Sequence, residues 1–145
     1  MKVRTGTALV IATAVVVTAV VITAMVIVGS PATERQRRLD AARVQDLETI
    51  ERLVDGFARV HGSPPADVDT LAHEPGYAVP RNDPESGIPY GYEKLSANSF
   101  RLCAIFTTDS ADAGNSGSYP LALNATWAHG RGRQCFERRA QGSLR

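Results

Sequence analysis

The stretch RNDPESGIPYGYEK, residues 81–94, packs two prolines, two glycines, two tyrosines and five charged residues into one short run. Its local chemistry is that of a tight turn that opens a β-hairpin. Asp83 can accept hydrogen bonds from the backbone ahead of it, Pro84 fixes φ, and Gly87 permits positive φ. Pro89 then delivers the chain into YGYEKL, where Tyr90, Tyr92 and the aliphatic stem of Lys94 share one side at period two. Ala97-Asn98 stands where the hairpin must turn, and Asn tolerates the left-handed conformation. The run SFRLCAIF, residues 99–106, returns as a second strand with Phe100, Leu102, Ala104 and Phe106 on one face. Arg101, Cys103 and Ile105 take the other face. Asp83, Pro84, Gly87, Pro89 and Tyr90 therefore read as structural turn residues, not as a site of chemistry.

Upstream of the turn the pattern is helical. Leu39, Ala42, Leu47, Ile50, Leu53, Val54, Phe57 and Val60 recur at three- and four-residue steps and form one apolar stripe. Asp46, Glu48, Glu51, Arg52, Asp55 and Arg59 read as the solvated face, with Glu48–Arg52 and Asp55–Arg59 at the favourable acid-first spacing. Gly62 and Pro64-Pro65 end the helix. A short helical turn around Val68 and Leu71 precedes the loop that leads to Asp83.

Further upstream lies GTALVIATAVVVTAVVITAMVIV, residues 6–28, with no charged residue in it. As a helix it spans about 35 Å, enough to cross the hydrocarbon core of a bilayer with some tilt. Val, Ile and Thr are poor helix formers in water, but in lipid a helix is the only single-segment way to satisfy the backbone. Thr13, Thr18 and Thr23 can return their hydroxyls to a preceding carbonyl. A cleaved signal peptide is the rival reading, with Lys2 and Arg4 as its basic start and Ser30-Pro31-Ala32 as its cleavage site. The apolar run exceeds the usual signal-peptide length, which favours a retained anchor. The chain thus divides into an anchor over 1–30, an amphipathic helix over 31–62 and a β-rich part over 63–145.

Charge and cysteine point in opposite directions for topology. Lys2 and Arg4 precede the span, and Arg35, Arg37, Arg38 and Arg43 follow it, a bias that by counting alone leaves the C-terminal side in the cytoplasm. Cys103 and Cys135 are the only cysteines and form no metal-type pair. A disulfide between them closes a long loop, is worth roughly 3–4 kcal/mol in the chain-entropy model, and requires an oxidising compartment. The disulfide is the weightier argument, and it places the domain outside the cytoplasm.

Composition narrows the function. The 145 residues hold 16 basic and 15 acidic side chains and 6% aromatics, so neither electrostatics nor base stacking favours a nucleic acid. Asp109, Asp112 and Asn115 present oxygens at three-residue steps, but without the ligand pattern of an EF-hand loop. His61, His73 and His129 are scattered, and His129 with Cys103 and Cys135 has no zinc spacing. A Cys–His catalytic pair needs a free thiolate, which the disulfide removes. No nucleophile elbow, zincin motif or phosphate loop occurs. Asn124-Ala125-Thr126 fits a glycosylation sequon, and Trp127, His129 and Phe136 read as aromatic caps of the sheet. The sequence thus reads as a non-enzyme with no catalytic residue, metal or cofactor.

A membrane span running into an amphipathic helix, a Gly/Pro break, DPESGIPYGYE (83–93) and a second strand together resemble the type IV pilin-like proteins. Among these the resemblance is to the major pseudopilins of type II secretion, and it covers the chain from the span to about Phe106. It implies an α+β fold, one long helix laid against a small antiparallel sheet. It also implies a structural or interaction protein of the bacterial envelope. Such a protein is held in the inner membrane by residues 6–28, has its C-terminal domain in the periplasm, and is partnered by pilin-like or secretion-system proteins. A stand-alone anchored domain that binds another envelope partner is the alternative. The sequence departs from the family at the start, where Gly6 is followed by TALVIAT with Ile11 at the position of the usual Glu. The span therefore lacks the intramembrane acid that serves as a pairing group.

Overall fold

The computed structural model describes residues 5–28, 31–111 and 125–141. Its elements are α1 (Thr5–Val28), α2 (Pro31–His61), α3 (Val68–Ala72), β1 (Gly91–Lys94), β2 (Ser99–Phe106), a single 3₁₀ turn (Ala125–Trp127) and β3 (Gly132–Arg139). The architecture is α+β, and the chain falls into two units, Met1–Arg35 and Gln36–Arg145.

In the first unit α1 is long and apolar enough over Gly6–Ala24 to cross a membrane, and its side chains there are exposed. The hydroxyls of Thr13, Thr18 and Thr23 each donate to the carbonyl four residues back, at 2.8 Å. These bonds keep the threonines from presenting unsatisfied polar groups on an otherwise apolar cylinder.

The second unit is organised by α2. Pro31 occupies its first position, where the missing N–H costs nothing. Gly62, at φ +79°, closes its other end by donating its N–H to the Ala58 carbonyl at 2.8 Å. Leu47, Ile50, Val54, Phe57 and Ala58 are buried, with Leu53 at the rim. They pack against Phe100, Leu102, Ala104 and Phe106 of β2 and against Tyr90, Leu71 and Trp127.

The expected stripe is corrected at both ends. Val60 is 78% exposed, because the last helical turn runs past the apolar cluster. At the other end Leu39 and Ala42 are only half-buried, whereas Asp40, Arg43 and Val44 are buried. The buried positions 40, 43, 47, 50, 54 and 57 keep the three–four step, so the stripe continues through two charged residues.

The expected solvated face is also corrected. Asp46 accepts a hydrogen bond from the Tyr90 hydroxyl (2.7 Å), and Glu51 pairs with Arg138 (3.4 Å). Asp55 accepts from the Gln141 N–H (3.0 Å). Arg52 donates to the Thr49 hydroxyl and Arg59 to the Asp55 backbone carbonyl, not to the carboxylates at i−4. The helix is therefore tied to the sheet and to the chain's last described residues on its flanks as well as its apolar face.

The sheet is antiparallel in the order β1-β2-β3. Tyr92 lies opposite Leu102 and Lys94 opposite Phe100, while Cys103 lies opposite both Gly91 and Cys135. β3 completes the hairpin into a three-stranded sheet. The β1–β2 turn departs from expectation, since every positive φ among the described residues belongs to glycine and Asn98 is not left-handed. The turn closes instead through Leu95 and Ser96 N–H donating to the Ser99 carbonyl (3.0 and 3.1 Å), with the Ser96 hydroxyl accepting from the Asn98 N–H.

The burial pattern gives a direct comparison of two apolar residues on one helix. Leu47→Ala should lower unfolding free energy by about 2–5 kcal/mol, and Val60→Ala by no more than about 0.5 kcal/mol. Urea titrations followed by circular dichroism read both. Equal losses would contradict the helix register.

Candidate functional site

Arg43 reaches from α2 into the turn that follows Arg81. Its Nε donates to Asp83, as does Nη2 at 3.3 Å, and Nη2 also reaches Glu85 at 2.9 Å. Nη1 donates to Asp40, one helical turn earlier, at 2.6 Å. The planar fork of a guanidinium can serve three carboxylates in this way, whereas an ammonium on a flexible stem cannot hold the same geometry.

Asp40 and Asp83 have further donors. Asp40 accepts from the N–H and hydroxyl of Thr108, both at 2.6 Å, and from the Thr107 N–H at 3.1 Å, just past the end of β2. Asp83 accepts from the N–H groups of Glu85 (2.9 Å) and Ser86 (2.7 Å). Within the same turn, Gly87 donates to the Asp83 carbonyl (2.9 Å) at φ +69°, and Asp83 N–H donates to the Ile88 carbonyl (2.9 Å). Pro84 lies exposed inside this turn. Pro89 pairs back with Asn82 and Tyr90 donates its N–H to the Arg81 carbonyl (2.9 Å), so the turn ends as a small antiparallel pairing.

The electrostatics follow from this geometry. Burial pushes the Asp83 carboxyl up, but Arg43 and the Ser86 and Glu85 N–H groups outweigh it and hold the group well below the usual carboxylate range. Burial of Asp40 is likewise outweighed, here by Thr108, Thr107 and Arg43, and its pKa is lowered. Burial opposes the charge on Arg43, and the three carboxylates override it and raise its pKa. Arg43, Asp40 and Asp83 are thus held in their charged forms, each carboxylate of the buried pair accepting from several donors. The buried ion pairs tie α2 to the turn and to the end of β2, which is a structural role.

Cys103 and Cys135 are joined in a disulfide across β2 and β3, with Cα atoms 4.1 Å apart. Beside it a cleft of about 200 Å³ opens between residues 83–91 and the end of β2, with Arg133 on its rim. That volume is below the range of pockets that enclose a cofactor or a sizeable metabolite.

The three histidines make separate local contacts. His61 pairs with Glu74 (3.1 Å) and stacks on Phe57, and His73 bonds the Asp69 carbonyl (2.6 Å). His129 is buried against Phe106, ring centroids 3.8 Å apart. Trp127 meets Phe136 edge-on at 4.9 Å and lies under the Arg138 guanidinium, so these aromatics do cover the sheet. Among the described residues no group of His, Cys, Asp and Glu is gathered for a metal. Asp109 accepts from the Ala111 N–H (2.8 Å). Its two companions in the oxygen-rich loop, Asp112 and Asn115, lie outside the described residues, as does Asn124 of the sequon.

Sequence reasoning assigned Asp83 to the turn and missed that it is also the counter-ion of a buried arginine. Asp40 and Arg43 lie two turns and one turn before Leu47 and keep the step of the apolar stripe, a position that becomes a signal only once Asp83 is known as the counter-ion. Arg43 is consequently not one of the surface arginines that its position after the span suggested. No family model, curated protein or solved structure matches this chain.

Removal of the guanidinium tests this arrangement. Arg43→Met should cost about 3–5 kcal/mol at pH 7, because Asp40 and Asp83 remain buried without their cation. In the parent the two lowered pKa values contribute stability above the ordinary carboxylate pKa of about 4, and that contribution is lost as pH falls through the folded-state values. In the variant both groups lose the lowering contribution of Arg43 while burial still pushes them up, so each protonates at a higher pH than in the parent and less stability is lost on acidification. The deficit in urea titrations should therefore narrow from pH 7 to about pH 4.5. An unchanged deficit would show that the cluster is not held by charge.

Proposed function

We propose that this chain is a membrane-anchored, pilin-like structural or interaction protein of the bacterial cell envelope, and not an enzyme. The observation that carries this reading is the contrast between the two units. The side chains of α1 from Gly6 to Ala24 are exposed and uncharged, a surface that only lipid or apolar protein can cover. The unit that follows closes its own core, with α2 laid on a three-stranded antiparallel sheet. That arrangement supports the pilin-like reading made from the sequence. The Cys103–Cys135 disulfide supports a periplasmic position for this unit, outside the inner membrane.

Ile11, in place of an intramembrane acid, favours a head that works at the membrane without being built into a filament by charge pairing. In this reading the anchor sets location and the head meets its partner, a pilin-like or secretion-system protein or another component of the envelope.

Fractionation tests the anchor. The full chain should stay in the membrane pellet through an alkaline carbonate wash and be released by detergent. An intact mass beginning at Thr33, with the protein in the soluble fraction, would establish a cleaved signal peptide instead. Orientation has its own readout. Protease added outside spheroplasts should degrade the head, and both thiols should resist a maleimide reagent in unfolded protein until a reductant is added. A head protected until lysis, or thiols labelled without reduction, overturns the external placement.

A further inference from the structure

β2 is longer than the strand beside it. β1 pairs from Gly91, opposite Cys103, to Lys94, opposite Phe100, so the last three residues of β2 have no β1 partner. The chain before Gly91 is diverted, because Tyr90 N–H is spent on the Arg81 carbonyl and Pro89 has no N–H to offer.

The orientation of the backbone in this gap follows from the register. Cys103 and Cys135 face each other with Cα atoms 4.1 Å apart, the close spacing of a non-hydrogen-bonded pair. Cys103 therefore directs its N–H and carbonyl away from β3, towards β1. The Ser99 carbonyl, four residues earlier, does the same and accepts from Leu95 N–H at 3.0 Å. By the same alternation Ile105, opposite Arg133, turns its N–H and carbonyl to the side where β1 is missing. What lies there is the cleft of about 200 Å³.

The walls of the gap are specific. Ile88 and Ile105 are 52% and 49% exposed, which is apolar surface on either side of an unfilled strand position. Gly91 keeps the space beside Cys103 clear, since a Cβ on it would lie 2.9 Å from that of Cys103. Arg133 stands at the rim, exposed. Asp83 also lines the cleft, but its carboxylate is engaged by Arg43 and by two turn N–H groups.

We propose that this gap is a docking site for an extended segment of a partner protein, which adds a short strand beside Ile105, inserts an aliphatic side chain between Ile88 and Ile105, and sets an acidic residue against Arg133. The main-chain bonds to Ile105 supply the pairing and the arginine selects the sign of the charge. The site lies wholly within the head and does not rest on the membrane assignment.

Amide exchange on the full chain in detergent micelles tests this at two levels. In the free protein the Ile105 amide should exchange at least tenfold faster than that of Leu102, which is paired within the ladder. Equal protection of the two amides overturns the gap. The probe for the partner is a fluorescein-labelled hexapeptide of alternating glutamate and valine. It should bind saturably and slow exchange at Ile105. Its lysine–valine counterpart should not bind, and N-methylation of its central residues should weaken it at least tenfold. Arg133→Glu, an exposed substitution that leaves the ladder intact, should weaken the acidic peptide at least tenfold and admit the basic one. No binding, or binding indifferent to both N-methylation and Arg133→Glu, overturns the proposal. Protection of Ile105 that rises with protein concentration, without peptide, assigns the gap to a second copy of this chain and overturns the partner named here.

Discussion

The head depends on the burial of one guanidinium. Arg43 gathers Asp40 from its own helix and Asp83 and Glu85 from the turn, and Asp40 in turn holds the N–H groups of Thr107 and Thr108 beyond the end of β2. Three segments as far as 68 residues apart are thereby fixed to one point. An apolar stripe lying on an apolar sheet tolerates rotation and sliding, because dispersion and hydrophobic burial are weakly directional. A buried arginine does not, since every displaced donor leaves a charge without a partner. The apolar contacts of Leu47, Ile50 and Val54 supply the burial, and the Arg43 cluster sets the angle and register at which they are made.

What was legible in the sequence tracks the physics of each element. α1 and α2 declared themselves through length and period, and the hairpin through its turn residues and the alternation of Phe100, Leu102, Ala104 and Phe106. The Asp40–Arg43 pair did not, although it keeps the step of the stripe, because a charge at a core position is recognisable only when its counter-ion forty residues away is known. β3 was hard to see for a related reason. The run GRQCFERR has one aromatic residue and no aliphatic one, so nothing in its own alternation marks a strand. Pairing with β2 makes it one, and its polar inner-face residue Arg138 is accommodated by stacking 4.1 Å above Trp127 and by Glu51. Val60 fails in the opposite sense, continuing the apolar period past the end of anything for it to cover.

The turn at residues 83–89 answers in structure the question its composition raises. Asp83 serves two requirements with one carboxylate, closing the turn through Glu85 and Ser86 N–H and neutralising Arg43. Gly87 is needed because the closing residue takes positive φ. Pro89 then removes a donor at the point where continued pairing of β1 along β2 requires one. The same residues that build the hairpin thus limit its first strand, and the opening beside Ile105 follows from the way the turn is made.

The head is small, and its cohesion comes from three ties of different physical kind. Burial of the α2 stripe joins helix to sheet, the Arg43 cluster joins the start of that helix to the turn and to the end of β2, and the disulfide joins β2 to β3. Each responds to a different variable. Apolar burial weakens with denaturant and cold, the ion cluster with acid, and the disulfide with reduction. They also act on different pairs of segments, although the register of the apolar contacts is set by the Arg43 cluster. For a domain with little apolar surface to bury, this division is effective, because no single junction must provide the whole of its stability. It also leaves the outer face of the sheet without a helix or loop required to cover it beyond the disulfide. That face carries Arg101 between Glu93 and Glu137, with the exposed Ile105 and Arg133 beyond the disulfide. Beyond the disulfide, Ile105 and Arg133 are exposed and are the part of this face available for recognition.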